Sequence, residues 1–209
     1  MISHPRETLF VHIPKTGGQS VEGVFLQDMK LGWKDRGTLC MGQNDDPAFG
    51  PEKLAHLFGS EYVGRGHITQ GLFDRYLKFA IVRHPYDRLV SEYRYRAGAQ
   101  RRRGIPVLGF DDFLGLQFNE DYSDRARHMV PQVRFVMDQT GACIVDHVLR
   151  FETLARDIAP LFKRIFGTAL ALPHRNRSPV GPPHDLKAAQ KALIYDRYRA
   201  DFRAFGYDA

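Results

Sequence analysis

The chain reads Leu9-Phe-Val-His-Ile-Pro-Lys-Thr-Gly-Gly-Gln-Ser20 near its beginning. Residues 9–13 form the short apolar run of a buried strand, and residues 20–27 have the apolar spacing of an amphipathic helix. Two glycines between them let the backbone approach an anion closely, and the free N–H groups of the first helical turn then point at it. Lys15 adds a positive charge. This order of strand, turn and helix predicts a cradle for a phosphate or sulfate group.

Further strands and helices alternate along the chain. Leu77–Val82 is a second apolar strand, and residues 144–150 are a third candidate. Pro85 suits the first turn of a helix that runs to about Ala97. This alternation favours an α/β fold, with a central parallel β-sheet flanked by helices. Because the 209 residues contain no repeat, linker or low-complexity segment, we expect a single domain over 1–209.

The remaining segments carry weaker patterns. We expect a long loop at 28–50, which in a compact domain is more often a lid or binding element than filler. The other expected elements are a short helix at 52–58, a short strand at 62–63, a basic loop at 100–104, mostly helix over 110–135, a helix over 151–166, a loop at 174–183 and a helix over 185–202. Pro160 should bend the helix over 151–166 or mark its boundary.

Composition narrows the class of protein. A hydrophobic content of 43% with 26% charged residues is ordinary for a globular protein, and a net charge of +6 indicates an anionic partner without naming it. Cys40 and Cys143 lie far apart without metal-ligand spacing, so we expect two reduced structural cysteines and no metal site. We see no leader peptide and no run approaching the roughly 18 apolar residues of a membrane span. We therefore expect a cytoplasmic protein without an integral membrane segment.

The position of Lys15 bears on which anion is bound. Lys15 precedes the two glycines, whereas the nucleoside-triphosphate pattern Gly-x-x-x-x-Gly-Lys-Ser/Thr places its lysine after them. No clear aspartate for magnesium follows, so a metal-dependent kinase is disfavoured. On these residues alone, a structural turn and an anion site remain open alternatives.

A second group of polar residues follows the second strand. Arg83 ends that strand, and Arg88 and Ser91 come in the helix after it, on the face that carries positions 84, 88, 91 and 95. A guanidinium group matches phosphate oxygens in geometry, and a serine hydroxyl can donate one more hydrogen bond. Taken alone, the segment also fits a structural salt bridge and a solvated helix.

Together the two segments resemble the cofactor-binding signatures of the sulfotransferase family, whose donor is 3′-phosphoadenosine-5′-phosphosulfate (PAPS). The family's 5′-phosphosulfate loop, as seen in carbohydrate sulfotransferases, is similar to His12-Ile-Pro-Lys-Thr-Gly-Gly-Gln-Ser20. Its 3′-phosphate motif is similar to Ile81-Val-Arg-His-Pro-Tyr-Asp-Arg-Leu-Val-Ser-Glu-Tyr93. Weaker similarity continues at Leu149-Arg-Phe-Glu-Thr-Leu154, Leu172-Pro-His-Arg-Asn-Arg-Ser178 and Asp201-Phe-Arg-Ala-Phe-Gly-Tyr207. The resemblance implies the P-loop-like sulfotransferase fold and sulfuryl transfer.

The resemblance also implies roles for individual residues. Lys15 would contact the 5′-phosphosulfate and stabilise charge on the bridging oxygen as 3′,5′-ADP leaves, and Arg83 and Ser91 would bind the 3′-phosphate. The other donor contacts would come mainly from backbone N–H groups and from the Ser20 hydroxyl, over Thr16, Gly17, Gly18, Gln19 and Ser20. Gln19 departs from the family, which often has threonine or serine there. No metal is required, because lysine, arginine and backbone dipoles can neutralise the developing charge.

A hydroxyl acceptor also benefits from a base. His67 lies in Val63-Gly-Arg-Gly-His-Ile-Thr69, a glycine-flanked turn where we expect an exposed histidine able to accept a proton at neutral pH. The segment resembles the Gly-His-Ile/Val segment that carries the catalytic histidine of uronyl-type carbohydrate sulfotransferases. We therefore predict His67 as the base. We expect His12 to pack against or orient the loop, and Glu22 and Glu92 to be solvated helix residues.

The acceptor side is less well defined. His128-Met-Val-Pro-Gln132 resembles a segment near the acceptor site of carbohydrate sulfotransferases. The basic run Arg101-Arg-Arg103 is either a solvated loop or a contact for an acidic acceptor or the nucleotide, and Arg175 and Arg177 could reach the 3′-phosphate or the acceptor. Basic residues are not interleaved with aromatic ones, so we expect no nucleic acid partner. The expected acceptor is a hydroxyl of a carbohydrate or glycoconjugate.

Two alternatives to this function stay open. One is a non-catalytic protein that binds 3′-phosphoadenosine nucleotides or glycans, and the presence of Lys15, Arg83, Ser91 and His67 together argues against it. The other is a small-molecule kinase, and the missing nucleoside-triphosphate spacing argues against that.

Overall fold

A four-stranded sheet organises the fold. The computed structural model describes residues 1–117, 121–168, 170, 172 and 185–209, and in them the strand order is β1-β2-β3-β4. The strands are Ile2–Ser3 (β1), Thr8–Val11 (β2), Leu77–Val82 (β3) and His147–Arg150 (β4). Strands β2, β3 and β4 are parallel, while β1 pairs antiparallel with β2 at the edge. The expected α/β fold is confirmed, with a mixed sheet because of β1.

Helices flank the sheet and connect its strands. The α-helices of the described residues are Gly18–Asp28 (α1), Glu61–Gly64 (α2), Gln70–Arg75 (α3), Pro85–Arg102 (α4), Phe110–Leu114 (α5), Asp124–Arg127 (α6), Val133–Val136 (α7), Leu154–Phe166 (α8) and Ala188–Phe205 (α9). Short 3₁₀ helices span Trp33–Leu39, Leu54–His56 and Phe151–Thr153. Across the parts of the chain that the structure describes, none of these helices combines the length and apolar character needed to cross a membrane.

The two central strands, β2 and β3, are buried on both faces. Leu9 and Val11 of β2 point into one core, which α2, α3 and α7 complete. Phe10 of β2 and Phe79 of β3 stack in the other core, which α1 and α8 complete. A sheet covered on both sides requires apolar side chains on both sides, which is why these strands read as continuous apolar runs.

Two local predictions are wrong. Residues 62–63 belong to the helical turn α2, in which Glu61 and Arg65 pair at 2.9 Å one turn apart, because two consecutive apolar residues do not distinguish strand from helix. The basic run predicted as a loop is helical up to Arg102, since Ala97 is buried and α4 continues through the good helix formers after it.

Other boundaries shift by a few residues. The third strand is shorter than expected, and the helix predicted over 52–58 is one 3₁₀ turn, Leu54–His56. Pro160 lies inside α8 and marks neither end of it. The segment 28–50 contains the 3₁₀ helix Trp33–Leu39. The loop predicted at 174–183 falls outside the described residues.

Candidate active site

The turn after β2 has the backbone geometry of a tight cradle. Lys15 and Gly17 have φ angles of 71° and 84°, and Gly17 caps the start of α1. The buried hydroxyl of Thr16 donates to the Ile13 carbonyl oxygen at 2.8 Å and so closes the turn from inside. Holding a lysine at positive φ costs about 1–3 kcal/mol, which indicates that the surrounding contacts determine this conformation.

His12 packs directly beneath this turn. A Cβ atom added to Gly18 would lie 2.2 Å from His12 Cδ2, so the imidazole ring occupies the space that any side chain at 18 would need. His12 is fixed in turn by Glu22 of α1, whose Oε1 lies 2.6 Å from His12 Nδ1. The second glycine is therefore required by the close approach of a buried ring.

The side chain of Lys15 lies over the ring of Tyr95. Its Nζ is 4.3 Å from the ring centroid, and among the described residues it forms no hydrogen bond or ion pair. Burial lowers the pKa of Lys15, the charge of Glu92 opposes that change, and Arg83 adds to it. The result is a half-buried cation that no anionic group of the described residues contacts directly.

Arg83 reaches the same turn from the neighbouring strand β3. Its Nη1 donates to the Lys15 carbonyl oxygen at 3.3 Å, and its guanidinium carbon lies 4.4 Å from the centroid of the Phe151 ring. Its Nε is buried and has no hydrogen-bond partner among the described residues. Burial lowers the pKa of Arg83, against the nearby charges of Asp87 and Glu152. A buried N–H group without a partner is costly, and an anion would satisfy it.

The backbone of Arg83 is held by a residue that the sequence analysis did not select for this role. The Gln132 side-chain amide accepts from the Arg83 N–H and donates to its carbonyl oxygen, both at 2.9 Å. Asp201 of α9 accepts from the backbone N–H groups of Gln132 and Val133 at 2.9 and 3.0 Å. No local sequence pattern reveals these bonds, because their partners are 49 and 69 residues apart.

Arg88 and Ser91 have different surroundings. The buried Arg88 donates to the carbonyl oxygens of Pro14, Val130 and His128 at 3.0–3.1 Å. It therefore joins helix α4 to the turn after β2 and to the segment 128–130. Ser91 lies on the same helix and is largely buried, with 9% of its surface exposed. The expectation that Arg88 faces an anion is therefore replaced by a structural role, while Ser91 stays a predicted ligand.

Two helix glutamates expected to be solvated are buried instead. Glu22 pairs with His12, and Glu92 pairs with His128 at 2.7 Å and with Arg96 at 2.6 Å. Burial alone would raise the pKa of Glu92, but the charges and hydrogen bonds of His128 and Arg96 lower it to about 2. The prediction failed because their histidine partners lie outside the two helices, His12 directly after β2 and His128 after α6.

A third histidine–carboxylate pair completes a row of rings. His56 Nδ1 lies 2.5 Å from Asp124 Oδ1, and the His56 ring centroid is 5.0 Å from those of both His12 and His128. Burial lowers the pKa of His56 to about 4, although Asp124 opposes this. Burial would raise the pKa of Asp124, yet its bonds to His56 and Lys53 hold it well below its usual range.

His67 follows helix α2 rather than the predicted strand. It is half-buried, and its Nε2 donates to the Phe49 carbonyl oxygen at 2.6 Å, while Nδ1 lies 3.6 Å from Cys40 Sγ. None of its hydrogen bonds to described residues reaches the turn at 12–20. His67 therefore stays a predicted base, held here against the segment 40–49.

The other predicted contacts have three different outcomes. Arg101, Arg102 and Arg103 are exposed at the end of α4. The segment from His128 to Gln132 supplies carbonyl oxygens to Arg88 and the amide that holds Arg83, so it supports the arginines. Arg175 and Arg177 lie outside the described residues.

Comparison with known proteins defines the class. The chain matches the sulfotransferase family over residues 1–208. It therefore belongs to the sulfotransferase family and is a sulfuryl-transferring enzyme, and this family generally uses PAPS as the donor. A search among curated proteins returned no match.

The contact between Gly18 and His12 gives a first prediction. Gly18→Ala should lower the free energy of unfolding by about 1–3 kcal/mol, because the new methyl group would displace a buried ring that Glu22 holds in place. Urea unfolding measures the change. The matched control is Gly71→Ala, since Gly71 lies in helix α3 with nothing within 4 Å of an added Cβ. Equal stability of the two variants would contradict the close packing beneath the turn.

Proposed function

We propose that this sulfotransferase transfers the sulfuryl group of PAPS to a hydroxyl of a carbohydrate or glycoconjugate. The observation that carries the proposal is the convergence of Lys15 and Arg83 at the carboxyl ends of adjacent parallel strands, joined by the hydrogen bond from Arg83 Nη1 to the Lys15 carbonyl oxygen. In open α/β sheets, ligands bind at this edge. Two cations there suit a donor with phosphate groups at both its 5′ and 3′ positions.

Lys15 would act on the leaving group. PAPS supplies a sulfuryl group that moves in line, so that the bond from sulfur to the bridging oxygen breaks as the acceptor oxygen bonds to sulfur. Lys15 Nζ would stabilise the negative charge that collects on the departing oxygen of 3′,5′-ADP. Its present contact, the Tyr95 ring, is a weak partner that an anion can replace. The turn over Thr16, Gly17, Gly18, Gln19 and Ser20 would bind the 5′-phosphosulfate through backbone N–H groups.

Arg83 and Ser91 would select the donor. The buried Nε of Arg83 lacks a hydrogen-bond partner among the described residues, and its ring partner Phe151 also packs against Gly17 of the phosphosulfate turn. A 3′-phosphate placed here would accept from the guanidinium fork, with the Ser91 hydroxyl as a further donor. This arrangement would distinguish PAPS from adenine nucleotides that lack the 3′-phosphate.

His67 would take the proton of the acceptor hydroxyl. Its Nε2–H donates to the Phe49 carbonyl oxygen, which leaves the lone pair on Nδ1, the nitrogen that faces the Cys40 thiol. The segment 28–50 would therefore have to admit the acceptor beside Cys40. Positioning and charge stabilisation would supply the rest of the rate, and no metal is needed.

The positive charge of the protein supports the proposed class of acceptor. The exposed run Arg101-Arg-Arg103 at the end of α4 and the net charge of +6 suit an anionic glycan. A cytoplasmic location is kept as a prediction from the sequence.

The donor site is tested by nucleotide affinity. We expect 3′,5′-ADP to bind about 10- to 100-fold more tightly than 5′-AMP, because one or two charge-assisted hydrogen bonds to the 3′-phosphate contribute that much affinity. In Arg83→Ala this preference should disappear, while 5′-AMP affinity changes little; calorimetric titration measures both. Arg156→Ala, which removes an exposed arginine of α8, is the control. Equal affinities in the unaltered protein would exclude PAPS as the donor.

The proposed role of Lys15 in stabilising the leaving group is tested by measuring the turnover rate. With labelled PAPS and a panel of glycans, glycolipids and phenols, Lys15→Ala should lower kcat about 10²- to 10³-fold, because the charge on the leaving oxygen loses its neighbour. Affinity for 3′,5′-ADP should fall much less, since the lost contact acts mainly in the transition state. Lys163→Ala, at an exposed position of helix α8, should keep full activity. Binding of 3′,5′-ADP without transfer to any glycan or glycolipid of the panel would contradict the proposed acceptor class.

The role of His67 is tested by two substitutions. His67→Ala should lower kcat about 10²- to 10⁴-fold as expected for loss of a general base. His67→Gln keeps an amide donor for the Phe49 carbonyl oxygen but cannot accept the proton, so it should be equally inactive. Recovery of activity in His67→Gln would mean that His67 only tethers the segment at Phe49. His147→Ala, in strand β4, controls for loss of an unrelated histidine.

A further inference from the structure

Three buried side chains converge beside the donor turn without a role in sulfuryl transfer. His56 comes from the 3₁₀ helix Leu54–His56, Asp124 begins helix α6, and His128 follows the end of α6. One ligand atom from each, two imidazole nitrogens and a carboxylate oxygen, lies within 4.8 Å of the others. We call this set the His–Asp–His cluster.

One ring nitrogen of the cluster has no hydrogen-bond partner in the part of the chain that the structure describes. His128 Nδ1 lies 2.7 Å from Glu92 Oε2, so the proton of a neutral ring is on Nδ1 and the lone pair is on Nε2. His128 is 8% exposed, and its Nε2 is buried without a partner among the described residues. That Nε2 is 3.6 Å from Asp124 Oδ2, too far for a good hydrogen bond. A cation that both atoms ligate would give the buried nitrogen a partner.

The surroundings of His128 match those of metal-ligating histidines. Such a histidine usually donates its second ring N–H to a carboxylate, which fixes the ring and raises its basicity. Glu92 fills this position, and Arg96 holds Glu92 in turn at 2.6 Å. Asp124 is oriented by its backbone N–H, which donates to Glu52 at 2.8 Å.

Lys53 is the competitor for the same carboxylate. Its Nζ lies 2.5 Å from Asp124 Oδ2, so the ammonium group already supplies a positive charge to one side of the cluster. The Lys53 side chain is 38% exposed, against 12% for Asp124. The ammonium can therefore move out to water and give a cation access to the carboxylate.

We propose that the His–Asp–His cluster binds one divalent transition-metal ion of the zinc type. Two imidazoles and one carboxylate suit Zn²⁺ and similar ions, whereas Mg²⁺ and Ca²⁺ prefer sets made only of oxygen ligands. The ion would link the 3₁₀ helix Leu54–His56 to the end of α6. Because the His128 carbonyl oxygen accepts from Arg88, which also bonds Pro14, such a link would stiffen the support of the donor turn. The site does not depend on the proposed donor or acceptor.

The test is metal binding by the full chain after chelator treatment and dialysis. Zn²⁺ affinity is measured by competition with a chromophoric chelator, and Co²⁺ gives a visible absorption that reports the ligand set. We expect one Zn²⁺ per chain and no comparable binding of Mg²⁺. Glu92→Gln should weaken Zn²⁺ about 10- to 100-fold, and His128→Ala should weaken it further. Lys53→Met should tighten binding, because the competing ammonium group is gone.

Two controls separate this site from others. His147→Ala should bind Zn²⁺ like the unaltered chain, and so should Cys40→Ser, which removes the thiol beside His67. No stoichiometric binding by the folded protein, binding unchanged in His128→Ala, or binding lost in Cys40→Ser would overturn the proposal. If His128→Ala does not fold, Lys53→Met decides: tighter binding supports the cluster, and unchanged or weaker binding overturns it.

Discussion

The buried guanidinium of Arg88 is the contact on which the site depends. It is 2% exposed and donates to the carbonyl oxygens of Pro14, Val130 and His128. A buried charge that loses its hydrogen bonds costs several kcal/mol, so the segments that Arg88 joins cannot separate independently. Because Pro14 directly precedes Lys15, this contact fixes the turn after β2 against helix α4 and the segment at 128–130. The turn that carries Lys15 is thus held in place by an arginine whose hydrogen bonds all go to backbone carbonyl oxygens.

The backbone and the side chain of Arg83 differ in how fully they are hydrogen-bonded. The Gln132 side-chain amide bonds both the backbone N–H and the carbonyl oxygen of Arg83. Asp201 in turn accepts from the backbone N–H groups of Gln132 and Val133. The backbone is fully bonded, yet the side chain keeps a buried N–H without a partner among the described residues. Strong hydrogen bonding around an unsatisfied group is typical of a site that is ordered before its ligand arrives. Rigid support of this kind reduces the entropy cost of binding.

Much of the fold could be predicted from the sequence. Strands β2 and β3 and helices α1 and α4 follow from apolar runs, glycines and Pro85, which are all local signals. The motifs around Lys15 and Arg83 together indicated the sulfotransferase family, which the match over residues 1–208 confirms. Short elements such as α2 could not be predicted, because two apolar residues carry no period. Glu22 and Glu92 were expected in water because polar helix residues usually face it, and their histidine partners come from other segments.

The sequence by itself determined the strand, turn and helix around Lys15 and the arginine at the end of the next strand. These features depend on backbone preferences and side-chain chemistry within about twenty residues, which the order of amino acids specifies directly. Only the tertiary structure decided which charges are buried and with what they pair. The pairing of His56 with Asp124, the bonds of Arg88 and the amide of Gln132 join residues 40 to 74 positions apart. Such pairs form because the parallel sheet brings distant segments to one edge, and no spacing in the chain encodes that.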